Sequence, residues 1–543
     1  MKIYLCIILI IAFFVRFINL ESVPPGLGWD EVSHGYNAYS ILKTGHDEWG
    51  QFLPIANFRA YGDYPLPLYM YIMMPFISLF GLNEFAIRFP SALLGSLTIL
   101  IIYLLSKEIF KNEKTALLSA FLLALSPWGI LPSRQVIQST PAIFFLSLGF
   151  WLLIKSISSR GLYSVLGAIS LGLSAYAYHN TRILAPLLLI FFAFLFKDKI
   201  FINVKKYVLS FLIICIFFIP LIPIIFSSEG SARANWVSII DQGAINYLNE
   251  SRTFSTLPDP LPRLIFNRPV YFISKFSLNY LGYFNPLYLG FEGGTHYQFS
   301  IPHFGIVYPV ELPFFYIGLI ILIFNVIKLD NNKRFILGWL ILAPLPAAVT
   351  RDPYQVIRAF AMITPYYLIV GYGLVVVFDY LKDKFKISQK LLISIFLLSI
   401  IVLSLFYLQN LYFIYPKKYS FAWQYGYKEA VQYIQDNSSK YSRVVITKRY
   451  GEPHEFLLFY SKYDPKSYQT DPNLIRYEKS QWFWVDRFNK FEFINDWEIK
   501  EKMIGATNTL LVTSPGNYPL GSRIVKSIYF LNGDKAFDIV AID

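Results

Sequence analysis

Two adjacent carboxylates, Asp30 and Glu31, follow directly on the first apolar stretch of the chain, residues 3–20. Packing gives no reason for a charged pair at the point where a chain leaves a membrane. One carboxylate on a membrane-surface loop can act as a general base, while its neighbour orients it or holds a metal ion. Asp30 and Glu31 are therefore the first candidates for catalysis.

The same segment, residues 21–88, contains further polar candidates among many aromatic residues. They are Asp47, Glu48, Asp63, Tyr64 and His34. Carboxylates that accept hydrogen bonds from hydroxyl groups beside flat apolar rings suit a sugar or another polyol. The alternative is a solvated loop near lipid headgroups, where Trp and Tyr are enriched.

A second set of candidates is basic. His179 and Arg182 lie in a short turn between two apolar stretches, and Arg351 and Arg358 precede a later one. Because arginine binds phosphate oxygens bidentately, these residues predict a phosphate site at the membrane surface, with Arg358 the first choice. Snorkelling to lipid headgroups or an ion pair with Asp352 are the alternatives.

The elements that position these residues are membrane helices. The chain has 543 residues, of which 55% are apolar and 15% charged, and hydropathy predicts about 11 spans of roughly 20 residues. The formal charge of +13 concentrates in alternate short turns, near residues 107–114, 197–206, 328–334 and 382–390. This positive-inside pattern explains the charge without nucleic acid and predicts a multi-pass protein of the cell membrane. It predicts a cytoplasmic N-terminus, with the loops 21–88 and 227–310 and the C-terminal tail on the extracytoplasmic side.

The C-terminal tail differs from the rest of the chain. Residues 423–437 have the pattern of an amphipathic helix, and residues 442–448, 508–513, 523–529 and 536–542 have that of strands. We therefore expect a transmembrane domain at 1–415 and a small extracytoplasmic α/β domain at 416–543.

The motifs that the chain lacks narrow the reaction. It contains no Gly-x-x-x-x-Gly-Lys phosphate loop and no Asp-x-Asp triplet, which disfavours ATP-driven transport and a metal-held sugar nucleotide. A sugar linked to a lipid phosphate would be available outside the membrane. The only cysteines, Cys6 and Cys215, lie in apolar stretches, so neither a disulfide framework nor a cysteine metal site is expected.

Four sequence motifs resemble the integral-membrane GT-C glycosyltransferases of the protein O-mannosyltransferase and ArnT-like superfamily, in a bacterial branch. They are WDE at 29–31, GYNAYS at 35–40, PLPLY at 65–69 and FGLNEFAIRFPS at 80–91. The resemblance implies a GT-C fold and a hexosyl- or pentosyltransferase. Such an enzyme transfers a sugar, with inversion, from a polyprenyl-phosphate donor to a glycan, lipid or protein acceptor on the extracytoplasmic side.

The resemblance also implies roles for individual residues: Asp30 as the base, Glu31 beside it, and Arg358 on the lipid phosphate. Relatives often carry a second acid where this chain has the carboxylate-free segment 134–140, so Asp63 or Asp47 is a candidate substitute. No cofactor is assigned, and a divalent metal stays an open alternative. A transporter or flippase of lipid-linked sugars and a non-catalytic glycan-binding relative are the other functions considered.

Overall fold

The computed structural model describes residues 2–159, 161–225, 227, 236–480 and 482–543. The chain divides into two compact units. The helical unit comprises Met1–Arg16, Leu93–Ser133 and Gln138–Tyr407, and the mixed unit comprises Phe17–Ala92, Arg134–Ile137 and Leu408–Asp543. Residues 21–88, hereafter the first loop segment, are thus grouped with the C-terminal tail, whereas the sequence assigned them to the transmembrane domain.

The helical unit consists of apolar helices and shorter connecting helices. Four helical segments, Lys2–Phe17, Glu84–Phe110, Pro132–Arg134 and Gln389–Gln409, have residues in both units. The longer helices are Glu113–Leu125, Ser139–Ser158, Leu162–Ala177, His179–Leu195, Val204–Phe218, Gln242–Thr253, Arg268–Gly282, Leu312–Phe324, Asn331–Leu342, Ile363–Phe385 and Gln389–Gln409. The shorter helical segments are Pro127–Ile130, Pro132–Arg134, Lys197–Ile202, Leu221–Ile225, Leu261–Ile265, Tyr288–Glu292, Pro309–Glu311, Leu345–Ala348 and Phe360–Met362.

Five helical segments in the described ranges are long and apolar enough to cross a membrane. The helices Glu113–Leu125 and Pro127–Arg134 pass the same test together but meet at 67°, which is the geometry of a broken span or of a re-entrant loop. Four shorter apolar helices are Leu68–Phe80, Leu162–Ala177, His179–Leu195 and Pro309–Phe324. The predicted total of about 11 spans stays a prediction. The predicted loop 227–310 includes residues 228–235, which lie outside the described residues.

The mixed unit contains a seven-stranded sheet. Its strands are β1 (Arg443–Thr447), β2 (Ile475–Lys479), β3 (Trp482–Phe488), β4 (Phe491–Ile494), β5 (Thr509–Thr513), β6 (Arg523–Tyr529) and β7 (Lys535–Ile542). They are arranged in the order β2-β3-β4-β1-β5-β7-β6. β1 runs parallel to β4 and β5, and the other neighbouring strands are antiparallel. This confirms the predicted C-terminal α/β region and adds the hairpin β2–β3 and the strand β4, which the sequence did not predict.

The mixed unit also contains helices. The longer ones are Trp29–Thr44, Leu68–Phe80, Tyr427–Asn437 and Pro453–Ser461. The shorter segments are Asn410–Ile414, Tyr415–Tyr419, Ser420–Trp423, Ser438–Lys440, Pro465–Gln469, Asp496–Glu498 and Ile499–Lys502.

One apolar core joins the first loop segment to the C-terminal sheet. It contains Val32 and Tyr36 of the helix Trp29–Thr44 together with Phe456 and Phe459 of the helix Pro453–Ser461. The two helices approach closely at Gly35, where a Cβ atom would lie 2.7 Å from Cε2 of Phe459. Burial of these apolar side chains stabilises the association of residues 21–88 with the C-terminal segment.

Candidate active site

The first turn of the helix Trp29–Thr44 holds the two carboxylates that the sequence singles out. Gly28 precedes the helix with an extended backbone, and Asp30 and Glu31 lie in the first turn. Negative charge is favoured at a helix N-terminus because the unpaired amide groups there carry partial positive charge. The helix ends before Gly45, whose φ of 75° lies in the left-handed region that glycine tolerates best.

Glu31 is buried and fully paired. Its Oε1 atom accepts hydrogen bonds from Nε of Arg88 at 2.9 Å and from the amide of Val136 at 3.0 Å. Its Oε2 atom accepts from Nη2 of Arg88 at 2.8 Å and from the amide of Gly28 at 3.2 Å. The Arg88 guanidinium also donates to the carbonyl oxygens of Leu20, Pro24 and Gly26. Glu31 therefore has the contacts of a residue that fixes the loop.

Asp30 has different surroundings. The residue is exposed, and its Oδ1 atom accepts a hydrogen bond from the phenol of Tyr61. Among the described residues, none donates a hydrogen bond to its other oxygen, Oδ2. The backbone carbonyl of Asp30 contacts Nδ1 of the buried His34. A carboxylate with one oxygen held and one open is suited to take a proton from a bound hydroxyl group.

Asp47 and Glu48, predicted to bind substrate, are both buried. Oδ1 of Asp47 accepts hydrogen bonds from the amides of Trp49 at 2.9 Å and Gln51 at 2.8 Å, which closes a turn. Oε1 of Glu48 accepts from Nδ2 of Asn37 at 3.2 Å. Burial raises the pKa of Asp47 and raises that of Glu48 to about 7. These carboxylates face the protein interior, where they support the loop.

Three further ionisable groups of the C-terminal segment lie in the same interior region. Nδ1 of His454 lies 3.5 Å from Oε2 of Glu452, and Nε2 of His454 lies 3.7 Å from Oε1 of Glu455. Burial raises the pKa of Glu452 to about 7, raises that of Glu455 well above its ordinary value, and lowers that of His454 to about 3. These residues were not predicted from the sequence, although the spacing Glu-x-His-Glu at 452–455 was a visible signal.

A small cavity of about 10 Å³ lies beside this acidic cluster, lined in part by Glu48, Tyr61 and Glu455. Such a volume holds about one water molecule, far less than a sugar ring. In the described ranges, no group of three or more His, Cys, Asp or Glu side chains is arranged to hold a metal ion.

Asp63 and Tyr64 lie in the turn that carries Tyr61. Oδ1 of Asp63 accepts a hydrogen bond from the amide of Tyr64 at 2.8 Å. The backbone carbonyl oxygen of Asp63 accepts one from the amide of Ala60 at 3.1 Å. Both residues are half-buried. The structure thus brings Asp63 and Tyr64 into the same turn as the hydrogen-bond partner of Asp30.

The predicted basic residues form a second group, within the helical unit. Nδ2 of Asn180 donates to the carbonyl oxygen of Arg358 at 2.7 Å, which joins the turn containing His179 and Arg182 to Arg358. Nη1 of Arg358 donates to Oγ1 of Thr350 at 2.9 Å and lies 3.4 Å from Oδ2 of Asp352. The ion pair that the sequence offered as an alternative is therefore present.

Arg182 and Arg351 have separate partners. Nε of Arg182 donates to the carbonyl oxygen of Ala175 at 3.2 Å. Arg351 pairs with Asp241 at 3.4 Å, and 43% of its side chain is exposed, against 16% for Arg358. Arg358 is thus the more enclosed of the two later arginines.

The carboxylate-free segment 134–140 begins with a buried arginine. Arg134 donates from Nη2 to the carbonyl oxygens of Ile18 at 2.7 Å and Asn19 at 3.1 Å, and from Nε to that of Val23 at 3.1 Å. The Arg134 guanidinium thus fixes the backbone that leads to Asp30.

The chain is similar to glycosyltransferases along parts of its sequence. Residues 63–224 match the family model described as dolichyl-phosphate-mannose-protein mannosyltransferase. The chain is 33% identical over 184 residues to dolichyl-phosphooligosaccharide-protein glycotransferase 2 of Archaeoglobus fulgidus, covering 32% of this chain and 29% of that protein. It is 26% identical over 166 residues to the putative mannosyltransferase YkcB of Bacillus subtilis, covering 30% and 22%. The matches thus span less than a third of each relative.

Two solved structures share the fold. ArnT from Cupriavidus metallidurans in the apo state aligns with a TM-score of 0.53 at 11% identity, covering 99% of this chain and 97% of that one. The oligosaccharyltransferase AglB from Archaeoglobus fulgidus aligns with a TM-score of 0.51 at 15% identity, covering 84% of this chain and 63% of that one. The chain thus shares the fold of ArnT and AglB and is similar to a mannosyltransferase family over residues 63–224, and its apolar helices are those of a membrane protein.

Proposed function

We propose that this protein transfers a hexose or pentose from a polyprenyl-phosphate-linked donor to an acceptor hydroxyl group on the extracytoplasmic side of the membrane. Asp30 takes the proton of the acceptor hydroxyl through Oδ2 while that oxygen attacks the anomeric carbon. The bond from the anomeric carbon to the phosphate oxygen breaks, and the polyprenyl phosphate leaves with the electron pair. A single displacement inverts the anomeric configuration.

The observation that carries this proposal is the contrast between Asp30 and Glu31 at one helix terminus. Both oxygens of Glu31 are saturated by hydrogen bonds, whereas Asp30 is exposed and has an open Oδ2 atom. A base must reach the proton that it removes, so Asp30 takes the catalytic role. Glu31 takes a positioning role through Arg88.

Arg358 is the proposed ligand of the lipid phosphate. Only its Nη1 atom has protein acceptors among the described residues, so the rest of the guanidinium is available to phosphate oxygens. His179, Arg182 and Arg351 are proposed to add positive charge for the departing phosphate. The AglB structure, which is described as a complex with an inhibitory peptide and a dolichol-phosphate, supports a lipid-phosphate partner.

The polar residues of the first loop segment divide into two proposed roles. Asp63 and Tyr64, both half-buried, are proposed to contact the sugar or the acceptor. Asp47, Glu48 and His34 are buried and are proposed to support that surface from within.

Purified full-length protein in lipid nanodiscs tests the proposed reaction. It is incubated with polyprenyl-phosphate-linked sugars and with lipid, glycan and peptide acceptors. Mass spectrometry should detect a glycosylated product and free polyprenyl phosphate, and NMR should show an inverted anomeric centre. Movement of the donor across a liposome bilayer with no glycosidic product would overturn the proposal in favour of a transporter.

A further inference from the structure

Tyr61 is the side chain through which Asp30 contacts the C-terminal sheet. Its phenol donates to Oδ1 of Asp30, and 6% of the residue is exposed. Burial, with a contribution from the Asp30 charge, raises the pKa of the Tyr61 phenol well above its ordinary value. Tyr61 is therefore a protonated donor at every physiological pH.

Strand β3 holds Tyr61 in two ways. The amide of Phe483 donates to the carbonyl oxygen of Tyr61 at 2.7 Å. The ring of Tyr61 stacks on Trp482, with centroids 5.5 Å apart and an interplanar angle of 27°. The backbone of the turn approaches the indole so closely that a Cβ atom at Gly62 would lie 2.4 Å from Cε3 of Trp482. Both the backbone and the ring of Tyr61 are thus fixed by residues about 420 positions later in the sequence.

Trp482 is fixed in turn by a buried acid. Its Nε1 atom donates to Oε1 of Glu452 at 2.7 Å, and 4% of Glu452 is exposed. An indole with its only donor bonded has one orientation rather than several, so the stacked face stays under Tyr61. The contacts run without a gap from Glu452 through Trp482 and Tyr61 to Asp30.

We propose that Tyr61 is a positioning residue for the base and that the C-terminal sheet, through Trp482 and Glu452, is an integral part of the active site. This inference rests on the proposed function, in which Asp30 is the base. The phenol holds Oδ1 and so directs the open Oδ2 atom towards the acceptor hydroxyl.

Steady-state kinetics of Tyr61→Phe test the proposal, because the variant removes one hydroxyl group and keeps the stacked ring. We expect kcat to fall roughly 10- to 100-fold while KM for the lipid-linked donor stays within about twofold. Tyr529→Phe, at a half-exposed tyrosine of β6, is the matched control and should behave as wild type.

Variants of the remaining contacts extend the test. Trp482→Phe keeps a ring but loses the bond to Glu452, and should lower kcat in the same direction as Tyr61→Phe by a smaller factor. Glu452→Ala should also lower kcat by a smaller factor than Tyr61→Phe. Glu452→Gln keeps an acceptor oxygen for the indole and should retain the wild-type kcat. An effect of Glu452→Gln equal to that of Glu452→Ala would contradict the proposed role of this contact.

Asp30→Asn distinguishes failure of this inference from failure of the proposed function. If Asp30→Asn is inactive and Tyr61→Phe keeps the wild-type kcat, the positioning role is wrong and the base assignment stands. If Asp30→Asn transfers sugar at the wild-type rate, the base assignment is wrong, and the positioning role falls with it.

Discussion

Asp30 and Glu31 are adjacent carboxylates with opposite environments, and substitutions should separate their roles. Glu31→Gln breaks a buried ion pair with Arg88 and leaves an uncompensated guanidinium, which costs about 3–5 kcal/mol of the free energy of unfolding. We expect a clear fall in the thermal unfolding midpoint and in the yield of folded protein. Glu478→Gln, at an exposed position of β2, is the control and should change neither.

Arg358 is expected to act on the donor alone. Arg358→Ala should weaken binding of a polyprenyl-phosphate-linked sugar by about 1.5–3 kcal/mol, the usual contribution of a hydrogen bond to a charged group. Acceptor affinity should change little. Isothermal titration of both ligands checks this, with Lys328→Ala as a control that removes an equal charge at an exposed site. Unchanged donor affinity would remove Arg358 from the phosphate site.

At the scale of elements, the loop 46–52 and the helix Pro453–Ser461 meet through buried acids, which makes stability dependent on pH. The pKa of Glu48 rises from 4.5 to about 7 on folding, so the folded protein holds a proton that the unfolded chain releases above pH 4.5. The corresponding stabilisation is complete below pH 4.5 and is lost as the pH rises through 7. Glu452, whose pKa is also raised to about 7, contributes stability that is lost over the same rise in pH. His454, whose pKa is lowered to about 3, has the opposite effect: its contribution to stability is lost as the pH falls below 6.5.

Glu48→Gln should therefore raise stability at alkaline pH, since glutamine mimics the neutral acid. We expect a gain on the order of 2 kcal/mol at pH 8 and almost none at pH 4.5, read from thermal unfolding at both pH values. Glu455 and Arg476 face the same group, and both residues stay intact in this variant. An equal effect of Glu48→Gln at the two pH values would show that the carboxyl group does not titrate in this window.

The close approach of two helices at Gly35 gives a second prediction at this scale. A methyl group there would meet Phe459 at 2.7 Å and Ile87 at 3.0 Å, so Gly35→Ala should destabilise the protein by about 1–3 kcal/mol. Gly161→Ala, whose Cβ would lie 3.4 Å from Lys206, should be close to neutral. Phe459→Leu should offset part of the Gly35→Ala loss, and a purely additive double variant would contradict the packing explanation.

The sequence predicted the elements with clear patterns and missed those without them. The strands β1, β5, β6 and β7 and the helix Tyr427–Asn437 have the apolar alternation or periodicity that identified them. β2 is an edge strand with mostly exposed, polar residues, so no alternation marked the hairpin that carries Trp482. The burial of Asp47 and Glu48 could not be predicted either, because the residues that cover them lie some 400 positions later in the chain.

At the scale of the whole molecule, the C-terminal segment should not be removable. The core of the mixed unit combines residues 27–87 with residues 427–539, so deleting residues 408–543 exposes the apolar face of the helix Trp29–Thr44. We expect such a truncated chain to be degraded or aggregated on expression. A protease site inserted in the exposed loop near Leu520 should be tolerated, and cleavage there should leave the two fragments associated. A stable, active truncated protein would contradict this architecture.

The most direct test of the central claim is the transfer rate of Asp30→Asn at saturating donor and acceptor. Because Asp30 is exposed and makes one side-chain hydrogen bond among the described residues, the variant should keep the wild-type unfolding midpoint. Asparagine cannot accept the proton, so we predict that the rate of glycosidic-bond formation falls by roughly 100-fold or more while the donor still binds. A folded Asp30→Asn protein that transfers sugar at the wild-type rate would contradict the account.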